Sequence, residues 1–346
     1  MEQGTVYVGL DYHQHSVQVC VVDGAGRVLR NKSVPNSVLD VGGVVRGLGA
    51  IGRVTMEACC GSADLAEELR REAKWPVELA HPGFVNRMKS NPDKSDYTDA
   101  RMLAELGRAG FVPPVWLPPA PIRDLRNLVG YRQQLVNEKR ATKLRLLAVL
   151  REHRVQHPSQ VRWTRPWMTW VRTVGGVGEH GRWIIDRHLA HLERLGEDIK
   201  LAEARLAEAT REDPVVNKLL EQPGIGVVTA WMVRAQIGWF DRFRTGKQLA
   251  RYCGLTPRNA SSGKKQGDSG MIRTGDPFLK AVLIEAAHRL ARLDEHWKSL
   301  AIKLRSKGKP GSVVAVAIAN RWMRKLYHEM KELRAPAHRE EVTTAA

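Results

Sequence analysis

Four acidic residues of the chain lie where strands are predicted to end or helices to begin. Asp11 follows the apolar run YVGL, and Glu57 follows GRVTM. Asp96 and Asp99 lie three residues apart in KSDYTDARMLAEL, where a helix is predicted to begin. Residues three apart share one face of a helix, so these last two carboxylates can point at the same spot.

Convergence of the four carboxylates would create a metal site. Ligands of open α/β sheets gather at strand ends and at adjacent helix N-termini. Asp11 and Glu57 come side by side if the first and fourth strands are neighbours. Crowded carboxylates repel one another unless cations lie between them, and oxygen ligands favour hard ions such as Mg²⁺ or Mn²⁺. Such ions stabilise the attacking and leaving oxygens of a phosphodiester.

The acidic pair alone leaves a second interpretation open. Asp96 can serve as a helix cap, and Asp99 can pair with a nearby arginine such as Arg101. Four acids at the ends of successive elements favour the metal site over this arrangement.

Composition indicates a polyanion as the partner. The chain has 346 residues, with 55 Lys and Arg against 37 Asp and Glu, which gives a net charge of +18. Such an excess is typical of nucleic-acid binding. The sequence shows no secretory signal pattern and no apolar run of membrane-spanning length, so we expect a cytoplasmic protein that does not act at a membrane. No CxxC pair occurs among the four cysteines, which argues against a zinc ribbon or a disulfide framework.

The elements that must position the acids form a predicted α/β domain over residues 1–115. Two strands joined by the turn DGAG follow the first strand, and further strands alternate with helices. One of these helices, SADLAEELRREAKW, is predicted to begin with Ser62 as its cap. The segment FVPPVWLPPAP has five prolines in eleven residues and marks the first boundary.

A helical segment over residues 116–213 and a mainly helical domain over residues 214–334 are predicted next, followed by a disordered tail over residues 335–346. The helical segment contains two long helices, which can pair as an antiparallel hairpin or serve a partner subunit. The second has the three–four apolar spacing of a coiled coil. The residues of this seam are Leu192, Leu195, Ile199, Ala202, Leu206 and Ala209.

The turn PGIG of the third domain contains Gly224 and Gly226. It is typical of a helix-hairpin-helix turn, whose backbone N–H groups can face a phosphate without reading base sequence. A plain connection between two helices explains the same residues equally well.

The loop PRNASSGKKQG, between two predicted helices, contains two serines and three cations. Its cations can neutralise phosphate, and a serine hydroxyl can attack phosphorus and hold a strand end covalently. Composition by itself favours a flexible phosphate-binding loop. The residues concerned are Ser261, Ser262, Arg258, Lys264 and Lys265.

The order of these motifs resembles the ribonuclease H superfamily in its Holliday-junction-resolvase-like (RuvC-like) branch. YVGLD, VTMEACCGS and KSDYTDARMLAEL, with QPGIGVVTA, FRTGKQLARYCGLTPRNASSGKK and IRTGDPFLKAVLIEAA, are similar to the DEDD transposases of the insertion-sequence one-hundred-and-ten family. The resemblance implies that the family's four acids are Asp11, Glu57, Asp96 and Asp99. It also implies a serine nucleophile, which alignment on the preceding PR and the following Gly places at Ser261, with Ser262 as the alternative.

The resemblance further implies an RNA-guided DNA recombinase that mobilises its own insertion sequence. A noncoding bridge RNA made by the element would pair with donor and target double-stranded DNA, so base pairing would select the sequence. A tetramer is implied, with the acids and the serine of one site supplied by one subunit or by two. The alternatives are a metal-dependent junction nuclease without a serine intermediate and a non-catalytic nucleic-acid-binding protein.

Basic residues of the first long helix are candidate contacts for a nucleic-acid backbone. A solvated helix face is an equally good interpretation of each one. The residues are Arg123, Arg126, Arg132, Lys139, Arg140, Lys143 and Arg145.

Overall fold

Two units, residues 1–118 and 119–346, are distinguished in the computed structural model of the chain. The structure describes residues 4–88, 95–158, 161–261, 267–273 and 275–333. The tail predicted over residues 335–346 lies outside these ranges. Across the described part of the chain, every helix is too short or too polar to span a bilayer.

A mixed sheet organises the first unit. The strand order is β3-β2-β1-β4-β5-β6, with β1, β4 and β5 mutually parallel and the remaining pairs antiparallel. This topology is compatible with a ribonuclease H-like domain. The strands are β1 Thr5–Tyr12, β2 Ser16–Asp23, β3 Val28–Pro35, β4 Ala50–Glu57, β5 Val77–Ala80 and β6 Pro114–Val115.

Helices cover both faces of this sheet. The helices are α1 Val38–Val45, α2 Ser62–Glu72, α3 Pro82–Met88 and α4 Asp96–Arg108. Side chains of a strand alternate between the two faces, so Leu10 and Met56 lie in the core beneath α1 and α2. On the opposite face, Cys20 packs against Ala100 and Ala104 of α4. The first unit is therefore a three-layer structure, with α4 on one face of the sheet and α1 and α2 on the other.

Two local predictions for this unit are corrected by the structure. Gly61, with a φ of +86°, precedes α2, and Ser62 is the first helical residue rather than its cap. The Ser62 hydroxyl instead donates to the Cys59 carbonyl at 2.9 Å and accepts from the Cys59 N–H at 3.0 Å. Part of the proline-rich linker, Pro114–Val115, forms β6, where an edge position tolerates proline.

Two long antiparallel helices begin the second unit. They are α5 Ala120–Glu152 and α7 Gly178–Ala209, with the short α6 Arg165–Thr173 between them. Arg132 of α5 pairs with Glu203 of α7 at 2.7 Å, and Glu138 pairs with His191 at 2.8 Å. Four residues of the predicted seam, Leu192, Leu195, Ile199 and Ala202, pack with leucines of α5 in the same chain. Leu206 is also buried, whereas Ala209 in the last turn is exposed.

The rest of the second unit consists of shorter helices and one β-hairpin. The hairpin lies where the sequence predicted only a loop between two helices, so the two strands were missed. Its register pairs Pro257 with Met271 and Asn259 with Asp268. The elements are α8 Pro214–Leu220, α9 Val227–Ile237, the 3₁₀ turn Phe240–Arg242, α10 Gly246–Tyr252, β7 Pro257–Asn259, β8 Asp268–Met271, α11 Pro277–Leu293, α12 Glu295–Ser306 and α13 Gly311–Met330.

Candidate active site

Parallel pairing of β1 and β4 aligns the first two acids. Leu10 pairs with Met56, so the residues that follow, Asp11 and Glu57, lie side by side at the same edge of the sheet. Because Leu10 and Met56 point into the core beneath α1 and α2, alternation directs the two acids toward the face that α4 covers.

Helix α4 reaches these acids because Gly9 lets it lie directly on β1. A Cβ built onto Gly9 would lie 2.0 Å from the Ala100 carbonyl oxygen and 2.4 Å from the Ala104 nitrogen. The small residues of α4 face this glycine, so helix backbone and strand backbone are in contact. This contact brings the N-terminal turn of α4, with Asp96 and Asp99, to the end of β1.

Asp96 of α4 and Asp11 of β1 meet around a histidine, whereas neither Glu57 nor Asp99 has a carboxylate oxygen in this group. His13 Nε2 lies 3.3 Å from Asp11 Oδ2 and 3.3 Å from Asp96 Oδ2. One ligand atom from each of these three residues lies within 4.8 Å of the others. Asp99 is a buried acid, with 8% of its surface exposed, whereas Asp96 is about half exposed. The arrangement places carboxylates and an imidazole around one point, open to solvent on the Asp96 side.

The pKa shifts of Asp11 and Cys59 report how the acids are placed. Burial raises the pKa of Asp11, and the carboxylates of Asp96 and Asp99 raise it as well, while His13 lowers it. Burial also raises the pKa of the Cys59 thiol, and the charges of Glu57 and Asp11 act in the same direction. Asp11 and Glu57 therefore both lie near the Cys59 thiol, and the pKa of Asp11 is also raised by the carboxylates of Asp96 and Asp99. Such crowding of negative charge is relieved by a bound cation.

His13 was not among the residues nominated from the sequence. The available signal was its spacing, because residues 11 and 13 project to the same side of an extended segment. An imidazole extends the donor set beyond oxygen, which suits Mn²⁺ better than Mg²⁺.

The interpretation of Asp96 as a helix cap is wrong. Ser95 occupies that position, and its Oγ accepts from the Thr98 N–H at 3.2 Å. Asp96 is instead the first residue of α4, and its carboxylate approaches His13.

Ser261 lies at the distal end of the β7–β8 hairpin. Its side chain is exposed, its N–H donates to Asn259 Oδ1 at 2.8 Å, and its Oγ accepts from the Gly267 N–H at 3.3 Å. The Ala260 N–H also donates to the Gly267 carbonyl at 2.9 Å. These bonds hold the two ends of the loop together and present the hydroxyl at the surface.

Of the predicted cations of this loop, the structure places Arg258, which is an exposed residue of β7. Ser262, Lys264 and Lys265 lie outside the described residues.

The PGIG turn divides into a packed residue and an exposed one. Gly224 has a φ of +76°, and a Cβ built on it would lie 2.9 Å from Leu293 Cδ1 and 3.0 Å from Arg289 Cβ of α11. Its conformation favours glycine, and a side chain here would also crowd Arg289 of α11. Gly226 is exposed and directly precedes α9, with open space where a Cβ would stand. The exposed amide end of the turn is thus at Gly226.

Several cations proposed as nucleic-acid contacts on α5 are used inside the fold. Arg126 donates to the carbonyls of Ala235 and Gln236 at 2.6 and 2.9 Å, and burial lowers the pKa of its guanidinium. Lys143 lies 4.7 Å from the ring centre of Trp163. Arg132 is paired within the helix hairpin, as described above, whereas Arg140 and Arg145 are exposed.

Comparison with known proteins matches both halves of the chain. A family model described as Transposase matches residues 8–155, which include the four acids, and one described as Transposase IS116/IS110/IS902 family matches residues 216–301, which include Ser261. A probable family 20 transposase of Pseudomonas aeruginosa is 29% identical over 285 residues, covering 79% of this chain and 82% of the relative. The transposase for insertion sequence element IS1111A of Coxiella burnetii is 26% identical over 320 residues, covering 91% and 86%. The transposase for IS1328 of Yersinia enterocolitica is 26% identical over 281 residues, covering 78% and 81%. The chain therefore belongs to the IS110 family of DEDD transposases, enzymes that cut and rejoin DNA.

Proposed function

We propose that this transposase cuts and rejoins DNA strands through a covalent phosphoserine at Ser261, with a divalent cation held by Asp11, Glu57, Asp96 and Asp99. The observation that supports the proposal is the group formed by Asp11, His13 and Asp96, with Glu57 beside Asp11 on the next strand and Asp99 one turn along α4. Two of the four acids come from neighbouring parallel strands, and two come from a helix that lies on one of those strands.

The donor set fits a divalent cation. The carboxylates supply the oxygen ligands that Mg²⁺ and Mn²⁺ prefer, and His13 supplies one imidazole nitrogen within reach of two of them. Bound there, the ion would neutralise charge that develops on the phosphate oxygens during strand transfer. The pKa of Asp11 is raised mainly by burial and further by the carboxylates of Asp96 and Asp99, and a bound cation would offset both effects.

Ser261 is proposed as the group that attacks phosphorus. Its Oγ would form a bond to the phosphorus of a phosphodiester while the bond to one sugar oxygen breaks, and the serine proton is transferred to solvent or to a nearby base. One strand end is then held as a phosphoserine and the other is a free hydroxyl. Attack by a different sugar hydroxyl rejoins the strand and regenerates Ser261, so the number of phosphodiester bonds is unchanged and no external energy source is needed.

Guidance by an element-encoded bridge RNA is part of the same proposal. The net charge of +18 and the exposed cations of α5, Arg140 and Arg145, support contact with nucleic-acid backbones. Exchange between donor and target duplexes requires several cutting sites, which supports a homo-oligomer of two to four subunits. We also propose that the N-terminal domain is RuvC-like, that α5 and α7 act as a coiled coil in assembly, and that Gly226 contacts a phosphate.

One reaction tests this proposal. Full-length protein, RNA transcribed from the flanks of the element, and DNA are incubated with Mg²⁺ or EDTA and analysed on a denaturing protein gel. We expect a metal-dependent protein–DNA adduct that Ser261→Ala abolishes while RNA binding is retained. Ser306→Ala, at an exposed serine of the same unit, is the control and should leave the adduct unchanged.

Two outcomes contradict the proposal in different ways. An undiminished adduct in Ser261→Ala removes Ser261 as the nucleophile, and Ser262→Ala then tests the neighbouring hydroxyl. Metal-dependent cutting to free 5′-phosphate and 3′-hydroxyl ends, with no adduct, instead establishes a junction nuclease in which the acids act without a serine.

A further inference from the structure

An apolar pocket lies between the base of the β7–β8 hairpin and the outer face of α13. Its volume is about 460 Å³, which is within the range of small-molecule and nucleotide sites. The pocket is lined by Leu255, Pro257, Met271, Ser312, Val313, Val316, Ala317, Asn320, Arg321 and Arg324. One wall is the register pair Pro257 and Met271, so the pocket lies under the hairpin that carries Ser261.

A cationic groove continues from this pocket along α13. It is lined by His296, Trp297, Arg321, Arg324, Lys325 and His328. Arg321 and Arg324 belong to both surfaces and mark the junction between them. Lys325 is paired with Glu329 at 3.4 Å, whereas no ion pair involves either arginine within the described ranges of the chain. The junction therefore carries two guanidinium groups whose charge is not balanced by a neighbouring carboxylate.

Apolar walls beside two unbalanced guanidinium groups fit a nucleotide better than a protein side chain. A nucleobase is flat and apolar on its faces, and its flanking phosphates require cations within a few ångströms. Asn320 adds a polar group: its side-chain N–H donates to the Leu255 carbonyl at 2.9 Å, which fixes the amide and leaves its oxygen as an acceptor in the pocket lining. The enzyme acts on DNA, which supplies both the bases and the phosphates that such a surface fits.

We infer that the apolar pocket binds one unstacked base of a DNA strand, with Arg321 and Arg324 on the phosphates that flank it. This inference depends on DNA binding by the family and not on the role of Ser261. Its failure is therefore separate from failure of the serine mechanism.

Binding of a fluorescent single-stranded DNA oligonucleotide to the full-length protein in EDTA provides the first test. Ala317→Trp fills the pocket and should weaken binding by roughly tenfold, the lower part of the range for one bound base because the lining is aliphatic, without changing the salt dependence. Arg321→Gln with Arg324→Gln should reduce the slope of log affinity against log salt by about 1.4, or about 0.7 for each phosphate. Ile302→Trp and Arg305→Gln, at exposed positions of α12, are the matched controls and should change neither quantity appreciably.

Abasic oligonucleotides give the decisive measurement. Removal of the one base that occupies the pocket should weaken binding to the wild type by the same factor as Ala317→Trp, and the two changes together should cost no more than either alone. Full additivity at every abasic position overturns the inference. The inference is also overturned if an RNA oligonucleotide shows the same non-additive pattern and binds more tightly than DNA. A changed oligomeric state of Ala317→Trp in sedimentation would overturn it as well, because the pocket would then be an interface between subunits. Thermal unfolding checks that Ala317→Trp is folded. If it is not, the double variant Arg321→Gln with Arg324→Gln decides, and an unchanged salt slope in that variant rejects the inference.

Discussion

Gly9→Ala tests whether the backbone contact between α4 and β1 sets the geometry of the acidic site. The added Cβ would lie 2.0 Å from the Ala100 carbonyl oxygen, and an ordinary contact is at least 3.4 Å, so α4 must move by about 1.4 Å. The obstacle is backbone, and rotamer changes cannot relieve it. Overpacking of this kind costs about 1–3 kcal/mol. For a unit of this size, the melting temperature should fall by roughly 4–12 °C.

The same shift should impair the site before it unfolds the protein. Asp96 and Asp99 move with α4, while Asp11 and Glu57 stay on the sheet, so the ligands separate. A displacement of about 1 Å costs on the order of a hundredfold in rate, and loss of ligand support costs about 10–100-fold in metal affinity. We therefore expect Mn²⁺ binding, measured by titration calorimetry below the melting temperature, to weaken at least tenfold.

Gly43→Ala provides the matched control for this substitution. Gly43 is an exposed residue of α1 in the same unit, and a Cβ built on it has open space around it. This change should leave metal affinity unchanged and leave the melting temperature equal or slightly higher, because alanine favours helix over glycine. If Gly9→Ala matched Gly43→Ala in both measurements, the contact with α4 would not control the site, and the reasoning would be refuted.

Two further substitutions probe the metal donors and a buried ion pair. His13→Ala should lower the affinity for Mn²⁺ several-fold more than that for Mg²⁺, because imidazole suits Mn²⁺ better. Exposed His15→Ala is the control in the same calorimetric titrations. An equal change for both ions would exclude His13 as a ligand. Arg234→Met should destabilise the second unit by roughly 3 kcal/mol in denaturant unfolding, since it leaves Asp213, 2.6 Å away and largely buried, without its charge partner. Exposed Arg205→Met should change stability by less than about 0.5 kcal/mol, and a loss below about 1 kcal/mol for Arg234→Met would contradict the assignment.

Local patterns account for much of the fold. Alternating apolar residues and the DGAG turn predict β1, β2 and β3, and three–four spacing predicts α5 and α7, since these signals arise within a few residues of one another. The same patterns missed the β7–β8 hairpin. Its strands are short and polar, and they are stabilised by pairing across a glycine- and lysine-rich loop rather than by an alternating apolar face.

The side chains with roles inside the fold were the hardest to predict. Arg126 and Arg132 look like members of a basic helix face, yet one caps the carbonyls at the end of α9 and the other pairs with Glu203. Helical periodicity identifies the face of a residue, but not whether another element covers that face.

The sequence by itself determined which acids the chain has and that each lies at the end of a strand or the start of a helix, because alternation and capping preferences are local. Only the tertiary structure decided which of them come together. Asp11 and Glu57 are neighbours because β4 pairs in parallel with β1, and Asp96 comes near Asp11 because Gly9 has no side chain to hold α4 away from β1. It also added His13 between Asp11 and Asp96. These contacts join residues that lie far apart in the chain, and their geometry depends on strand order and on how closely two backbones approach, which no short-range pattern encodes.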